Sequence, residues 1–160
     1  EIRLALSEDE NRNLQLLDVL IREHNKGSSI IVFACSIQHS IKLASLLAIS
    51  GIKAYSLDSQ HDSDETRRYK IAEYSKGHVR ILINYNILTA GFDAPVTNVA
   101  IIARPTDSLV QYSQMAGRAM RGELSGGNRE CTIYTVRDDI PAFRSVAEAF
   151  VHWDRLWTEV

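Results

Sequence analysis

The stretch IIVFA at residues 30–34 decides the fold, because an unbroken apolar run of this length fits a β-strand covered on both faces. Strands are predicted at 30–34, 52–57, 79–83, 99–103 and 131–136, and helices at 38–49, 64–75 and 108–121. Strands that alternate with helices form βαβ units, so the sequence predicts an α/β fold: a three-layer parallel sheet with helices on both faces. Ligands of such sheets bind at the carboxyl ends of the strands.

Two further amphipathic helices are predicted near the ends of the chain. The first begins at a capping box of Ser7 and Glu10 and stops near Gly27. Its apolar stripe is predicted to consist of Leu14, Leu17 and Ile21, widened by Leu16 and Leu20. A last helix is predicted over 141–157. Its aromatic residues are more typical of packing on the core of this domain than of docking another domain.

Composition indicates an ordinary folded domain. The chain has 160 residues, of which 45% are hydrophobic and 24% charged, so we expect a single domain over 1–160. The net charge of -2 lacks the positive excess of a wide DNA-binding face, so any contact with nucleic acid should be narrow or shared with another domain. Cys35 and Cys131 lie in apolar, strand-like runs, and a disulfide between them is the weaker interpretation.

The sequence gives no pattern for a metal or a membrane. The two cysteines and the scattered histidines lack ligand spacing, so we expect no metal. No signal peptide or membrane-length apolar run occurs, so we expect no membrane partner. The sequence starts at Glu1 without a methionine, from which we expect a fragment of a longer protein.

The helix predicted after Ser108 has one apolar face and one polar face. Ser108 and Gln111 fit a capping box. Helical spacing places five apolar residues on one stripe, which must face the sheet: Tyr112, Met115, Ala116, Ala119 and Met120.

The polar face of this helix suits an anion. It carries Gln114, Arg118 and Arg121, and Gly117 among them lets another surface approach closely. The fork of a guanidinium group fits a phosphate. Two arginines alone are more often solvated surface charges, so the inference depends on the whole pattern.

The whole pattern Gln-x-x-Gly-Arg-x-x-Arg over 114–121 resembles motif VI of superfamily 2 helicases. In that family the helix faces a nucleotide held by the first RecA-like domain. The resemblance implies that Arg118 and Arg121 are arginine fingers, which stabilise charge on the transferring γ-phosphate. It also implies that Gln114 orders the γ-phosphate or the attacking water, and that Gly117 lies at the nucleotide.

The segment LTAGFDAP at 88–95 resembles motif V of the same family. Taken alone, it is a turn with an aspartate and a proline. The resemblance implies that Thr89 contacts a backbone phosphate of the nucleic acid, while Gly91 and Asp93 sense the nucleotide. A segment that touches both ligands would couple the ATP state to the grip on the strand.

Three more residues are candidates for contact with nucleic acid. Ser36 follows a strand that resembles motif IV, and it either donates to a phosphate or caps the next helix. Arg67 is a candidate for contact with the strand or with Asp93, although a solvated helix face is the favoured interpretation. Arg104 either contacts nucleic acid or braces motif VI.

The motifs follow the family order over residues 28–137, and the stretch 84–108 resembles the branch of restriction-enzyme motor subunits, DNA-repair translocases and bacterial DEAD/DEAH-type DNA helicases. This implies a RecA-like fold, with DNA as a partner, RNA not excluded, and an N-terminal RecA-like domain of the same parent chain as the other partner. If the source is bacterial, we expect a cytoplasmic, nucleoid-associated protein.

The chain contains neither a Gly-x-x-x-x-Gly-Lys-Ser/Thr loop nor the acidic box that holds magnesium. We therefore expect ATP and Mg²⁺ to be held mainly by the absent first domain, none to bind this fragment, and the isolated fragment to be inactive. The parent is expected to be an ATP-dependent DNA helicase or translocase. The alternative is a catalytically inactive RecA-like module that binds nucleic acid or protein, against which the intact motif VI argues.

Overall fold

The computed structural model describes residues 1–87, 94–106, 108–117 and 126–138. Five strands form one sheet: β1 (Ile30–Phe33), β2 (Tyr55–Leu57), β3 (Ile81–Asn84), β4 (Val99–Ile102) and β5 (Thr132–Thr135). Their order across the sheet is β2-β3-β1-β4-β5, and every pairing is parallel. Strand β1 is therefore central, and all four of its residues are buried, as expected for a strand that is covered on both faces.

Helices cover both faces of this sheet, which confirms the predicted three-layer α/β architecture. The described helices are α1 (Ile2–Glu8), α2 (Glu10–Asn25), α3 (Ile37–Ile49), α4 (Asp64–Ser75) and α5 (Leu109–Ala116). Because side chains alternate along β1, Ile31 and Phe33 pack in the cluster that contains Tyr74 of α4 and Tyr112 of α5. Ile30 and Val32 point the other way, into the cluster with residues of α2 and α3.

The amino-terminal helix differs from its prediction. The chain breaks at Asp9, whose side chain accepts a hydrogen bond from Arg12 N and so caps α2. The predicted capping box at Ser7 is wrong, because the Ser7 hydroxyl donates to Leu4 O inside α1. An aspartate two residues later offers the same capping chemistry, and it has the extended backbone that a cap needs.

The buried face of α2 departs from the predicted stripe at Leu14 and also includes polar residues. Leu14 is exposed, whereas Leu16 and Leu20 are buried. Polar residues share the buried face: Arg12, Asn13 and Glu23. Each of them has hydrogen-bond partners, and a buried polar group is tolerated when it is paired. The spacing of apolar residues alone could not predict these buried polar residues, because it assigns their positions to the exposed face of the helix.

Helices α2 and α3 end in the same way. Gly27 and Gly51 follow their last turns with φ values of 85° and 78°. Glycine adopts this left-handed conformation without a steric penalty, so it ends a helix sharply and turns the chain toward the sheet. Within the described residues, no helix is long and apolar enough to cross a bilayer.

Candidate functional site at the carboxyl edge of the sheet

The carboxyl ends of the strands bring several polar residues together. Ser36 follows β1 and is half-buried. Its hydroxyl accepts a hydrogen bond from His39 N at 3.0 Å and caps α3. The capping role is therefore present in the structure. A capping hydroxyl keeps its own proton for a second partner, so a phosphate contact at Ser36 remains chemically available.

Arg104 lies at the end of β4 and reaches over β1 to the end of β3. Its Nη1 donates to Asn86 Oδ1, and its guanidinium carbon lies 5.1 Å from the centre of the Tyr85 ring. The residue is buried, and its Nε has no hydrogen-bond partner among the described residues. Burial lowers the pKa of Arg104, and the nearby charge of Arg3 lowers it further. Arginine nevertheless stays charged at physiological pH.

Arg12 of helix α2 also contacts residues at this edge of the sheet. Its Nε donates to Asp138 Oδ1 at 2.8 Å, and both side chains are at most 9% exposed. Its Nη2 also donates to the carbonyl of Ala103, the residue before Arg104. Burial opposes the charge of Arg12, but its hydrogen bonds with Asp138 and Cys35 and their charges raise its pKa overall. The pair therefore ties α2 to the chain that leaves β4 and β5.

His39 is a buried, neutral histidine beneath the same edge. Its Nδ1 accepts from Cys35 N at 3.1 Å, which leaves Nε2 to donate to Asn13 Oδ1 at 2.9 Å. Burial lowers the pKa of His39 to about 4, and the charges of Arg12 and Lys42 act in the same direction. The ring therefore links the end of β1 to α2 only in its neutral form.

Acid should weaken the fold through His39. Its folded pKa of about 4 lies below the ordinary value of 6.5, so the unfolded chain binds the proton first. The stability that depends on neutral His39 is complete above pH 6.5 and is lost as the pH falls towards 4, by roughly 3 kcal/mol in total.

Urea unfolding of the chain from pH 7.5 to 4 would measure this loss. His39→Gln is the matched control, because its amide offers one donor and one acceptor but does not titrate. Its stability should therefore fall less over this range than that of the wild type. Equal pH dependence in the two proteins would contradict the assignment.

Arg67 lies at the start of α4, near the carboxyl end of β2. Its Nη1 donates to the carbonyl of Asp62 at 3.0 Å, and its Nη2 donates to Asp64. Lys70, one turn later, is 2.8 Å from both carboxylate oxygens of Asp62. Arg67 is half-buried, and these two hydrogen bonds join it to the loop before α4 and to the first turn of α4.

Helix α5 presents the polar face that the sequence predicted, as far as the structure describes it. Ser108 caps the helix by accepting from Gln111 N at 3.3 Å. Tyr112 and Met115 are buried against the sheet, while Gln114 is exposed on the other side. Gly117 ends the helix at φ −60°, a conformation open to any residue, and is exposed. Gly117 is therefore distinguished by its lack of a side chain and not by its φ, which is an ordinary helical value.

Five of the predicted site residues lie outside the described residues: Thr89, Gly91, Asp93, Arg118 and Arg121. Their roles stay predictions. Among the predicted residues that are described, Ser36 and Arg104 lie at the ends of adjacent strands, β1 and β4. Gln114 lies in α5 and Gly117 directly follows this helix as its cap, while Arg67 lies near the end of the edge strand β2.

The sequence analysis assigned no role in the site to Tyr85, Asn86 or Arg12. Tyr85 and Asn86 directly follow the apolar strand β3, which is where ligands of parallel sheets gather, so their position was a usable signal. Arg12 gave no such signal. Its partner Asp138 is 126 residues away in the sequence.

The model of the family described as helicase conserved C-terminal domain matches residues 12–123. A putative mitochondrial ATP-dependent helicase irc3 of Schizosaccharomyces pombe is 34% identical over 119 residues, 74% of this chain and 19% of that protein. A putative ATP-dependent RNA helicase of Methanocaldococcus jannaschii is 32% identical over 108 residues, 64% of this chain and 14% of that protein.

A 51.5 kDa protein of Lactococcus phage (isolate 7-9) is 32% identical over 99 residues, 62% of this chain and 22% of that protein. The chain therefore spans less than a quarter of each of these three relatives.

Solved structures show the same fold. The C-terminal part of the Fun30 ATPase domain superposes with a TM-score of 0.69 at 20% identity, over 85% of this chain and 44% of that one. The C-terminal domain of the DEAD-box protein Dbp5 gives 0.67 at 22% identity, over 86% and 77%. The fold is therefore RecA-like, as predicted. With the family match over 12–123, the chain belongs to the helicase conserved C-terminal domain family and is a second RecA-like domain of the superfamily 2 type.

Proposed function

We propose that this chain is the second motor domain of an ATP-dependent DNA helicase or translocase. One observation carries the proposal: the family match runs from residue 12 to residue 123 and so includes the whole Gln-x-x-Gly-Arg-x-x-Arg pattern. Opening and closing of the cleft between two RecA-like domains would move the protein along a strand, with one domain gripping while the other shifts.

The nucleotide side of the proposal uses the polar face of α5 and the residues that follow it. Arg118 and Arg121 act as arginine fingers on ATP bound by the first domain, and Gln114 orders the γ-phosphate or the attacking water. Exposure of Gln114 on the face away from the sheet supports this assignment. Gly117 lets the nucleotide approach, and Gly91 and Asp93 respond to its state.

ATP and Mg²⁺ would be held mainly by the first domain. The isolated chain, without a phosphate-binding loop, would then be inactive. Its contribution to catalysis would be to stabilise negative charge at the γ-phosphate through Arg118 and Arg121. Cationic side chains stabilise such charge best in a closed cleft that contains little water.

The nucleic-acid side of the proposal uses the carboxyl edge of the sheet. Ser36 and Thr89 contact backbone phosphates, and Arg67 and Arg104 contribute to the same grip. Phosphate contacts carry no sequence information, so the grip is expected to be largely independent of sequence. The net charge of -2 fits a narrow contact of this kind.

The proposal of DNA as the strand rests on the likeness of residues 84–108 to DNA helicases and translocases. Relatives with RNA helicase in their names, such as the one from Methanocaldococcus jannaschii, make RNA the competing ligand. The two must therefore be compared directly.

ATP turnover of the full-length protein should rise when nucleic acid is added, and DNA should stimulate it more than RNA. The measurement is steady-state phosphate release with single- and double-stranded DNA and RNA at matched nucleotide concentrations. Stronger stimulation by RNA would overturn the DNA assignment. Turnover that is absent under every condition would favour an inactive binding module.

A further inference from the structure

The inference begins with the conformation of Asn86. Its φ is 61°, and no other non-glycine residue among those the structure describes has a positive φ. Side chains disfavour this left-handed region, although asparagine tolerates it better than most. Asn86 is exposed and lies two positions after the last residue of β3. It therefore sets the direction in which the chain leaves the sheet.

Arg104 makes the contact that holds this conformation. Its Nη1 donates to Asn86 Oδ1, and the guanidinium also lies against the Tyr85 ring at 5.1 Å, within the range of a cation–π interaction. The acceptor is the amide oxygen of Asn86 itself. The residue with the unusual backbone is thus fixed through its own side chain to a different strand, β4.

The burial of Arg104 argues against a direct grip on a phosphate. The residue is only 6% exposed, and its Nε is buried. Tyr85, which packs against the guanidinium, is more exposed than Arg104, and the hydroxyl of Tyr85 accepts a bond from Arg3 at 3.3 Å. A phosphate could reach the guanidinium only if these neighbours moved.

We propose that Arg104 is a positioning residue: it holds Asn86 in the left-handed conformation and thereby sets the direction in which the chain leaves β3. This rests on the proposed function, in which Thr89 contacts the strand. It deepens that function by assigning Arg104 an indirect contribution to nucleic-acid affinity, made from below the binding surface.

Binding of the full-length protein to a labelled single-stranded oligonucleotide, in DNA and RNA form, tests this assignment. Arg104→Met and Asn86→Ala should each weaken binding on the order of tenfold, as expected for the loss of one hydrogen bond to a charged group. The double variant should bind no more weakly than the weaker single variant, because both changes break the same contact.

The salt dependence separates positioning from direct contact. Each ion pair between a lysine or arginine and a phosphate that is lost reduces the slope of log affinity against log salt by about 0.7 to 0.9, whereas loss of a contact from a neutral threonine does not. Arg104→Met should leave the slope unchanged. A slope reduced by that amount, or additive effects in the double variant, would overturn the proposal. Wild-type protein that binds no nucleic acid would instead refute the proposed function.

Arg80→Met is the matched control. Arg80 directly precedes β3 and is half-buried, but it lies at the opposite, amino end of the sheet. Its removal should leave affinity within about twofold of the wild type. Thermal unfolding of each variant checks that the domain is folded, and a folded Asn86→Ala protein with wild-type affinity would also overturn the proposal.

Discussion

Arg121→Ala in the full-length protein should lower the maximal rate of nucleic-acid-stimulated ATP turnover by about 10³ or more. An arginine finger supplies positive charge where negative charge develops on the γ-phosphate, and such fingers contribute roughly 10³ to 10⁵ in rate in related phosphoryl-transfer enzymes. Because this charge matters most in the transition state, the substitution should lower kcat far more than it weakens ATP binding. Steady-state kinetics with saturating nucleic acid, together with nucleotide binding at equilibrium, would measure both quantities.

Arg129→Ala is the matched control for this prediction, because Arg129 is exposed and lies just beyond the motif. It removes the same charge from the same part of the chain and should leave turnover within about twofold of the wild type. If Arg121→Ala were as active as Arg129→Ala, Arg121 could not be an arginine finger.

Arg12→Met should lower the free energy of unfolding by about 3 to 5 kcal/mol. It leaves the carboxylate of Asp138 buried without its partner, and an uncompensated buried charge is strongly destabilising. The carbonyl of Ala103 loses a donor as well. Urea denaturation of the chain at neutral pH would measure the change from the midpoint and slope.

The control for Arg12 is another arginine of the same helix. Arg22 pairs with Asp18 at 3.5 Å, but its side chain is 51% exposed. Exposed pairs contribute less than about 1 kcal/mol, so Arg22→Met should have little effect. Similar losses in the two variants would show that the Arg12–Asp138 pair has no special role in the fold.

The strands and most helices follow from local physics that the sequence carries. The apolar run at 30–34 predicts a strand that is covered on both faces, and the capping residues Ser36, Ser63 and Ser108 mark where helices begin. The prediction failed at the amino end, where Asp9 and not Ser7 caps the long helix α2. Both residues have capping chemistry, so only tertiary packing distinguishes them.

The candidate site was harder to predict than the fold. Motif spacing places Gln114 on the polar face of α5 because the helix period is regular. Arg104 could be noticed as a charged residue at a strand end, but its bond to Asn86 depends on β1 lying between β3 and β4. No local sequence pattern predicts the order of the strands in the sheet. Contacts between residues that follow different strands, such as Arg104 and Asn86, can therefore be identified only from the structure.

The strand order has a consequence for how the chain is made. Ile30 of the central strand pairs with Ile81 on one side and with Val99 on the other. During synthesis β1 emerges first and stays unpaired until much of the remaining domain has followed it. Contacts so distant in sequence close slowly. A nascent chain that stalls before Val99 would expose one side of an apolar strand, and such bare strand edges invite aggregation. The centre of this sheet is thus its earliest part to be translated and among its last to be completed.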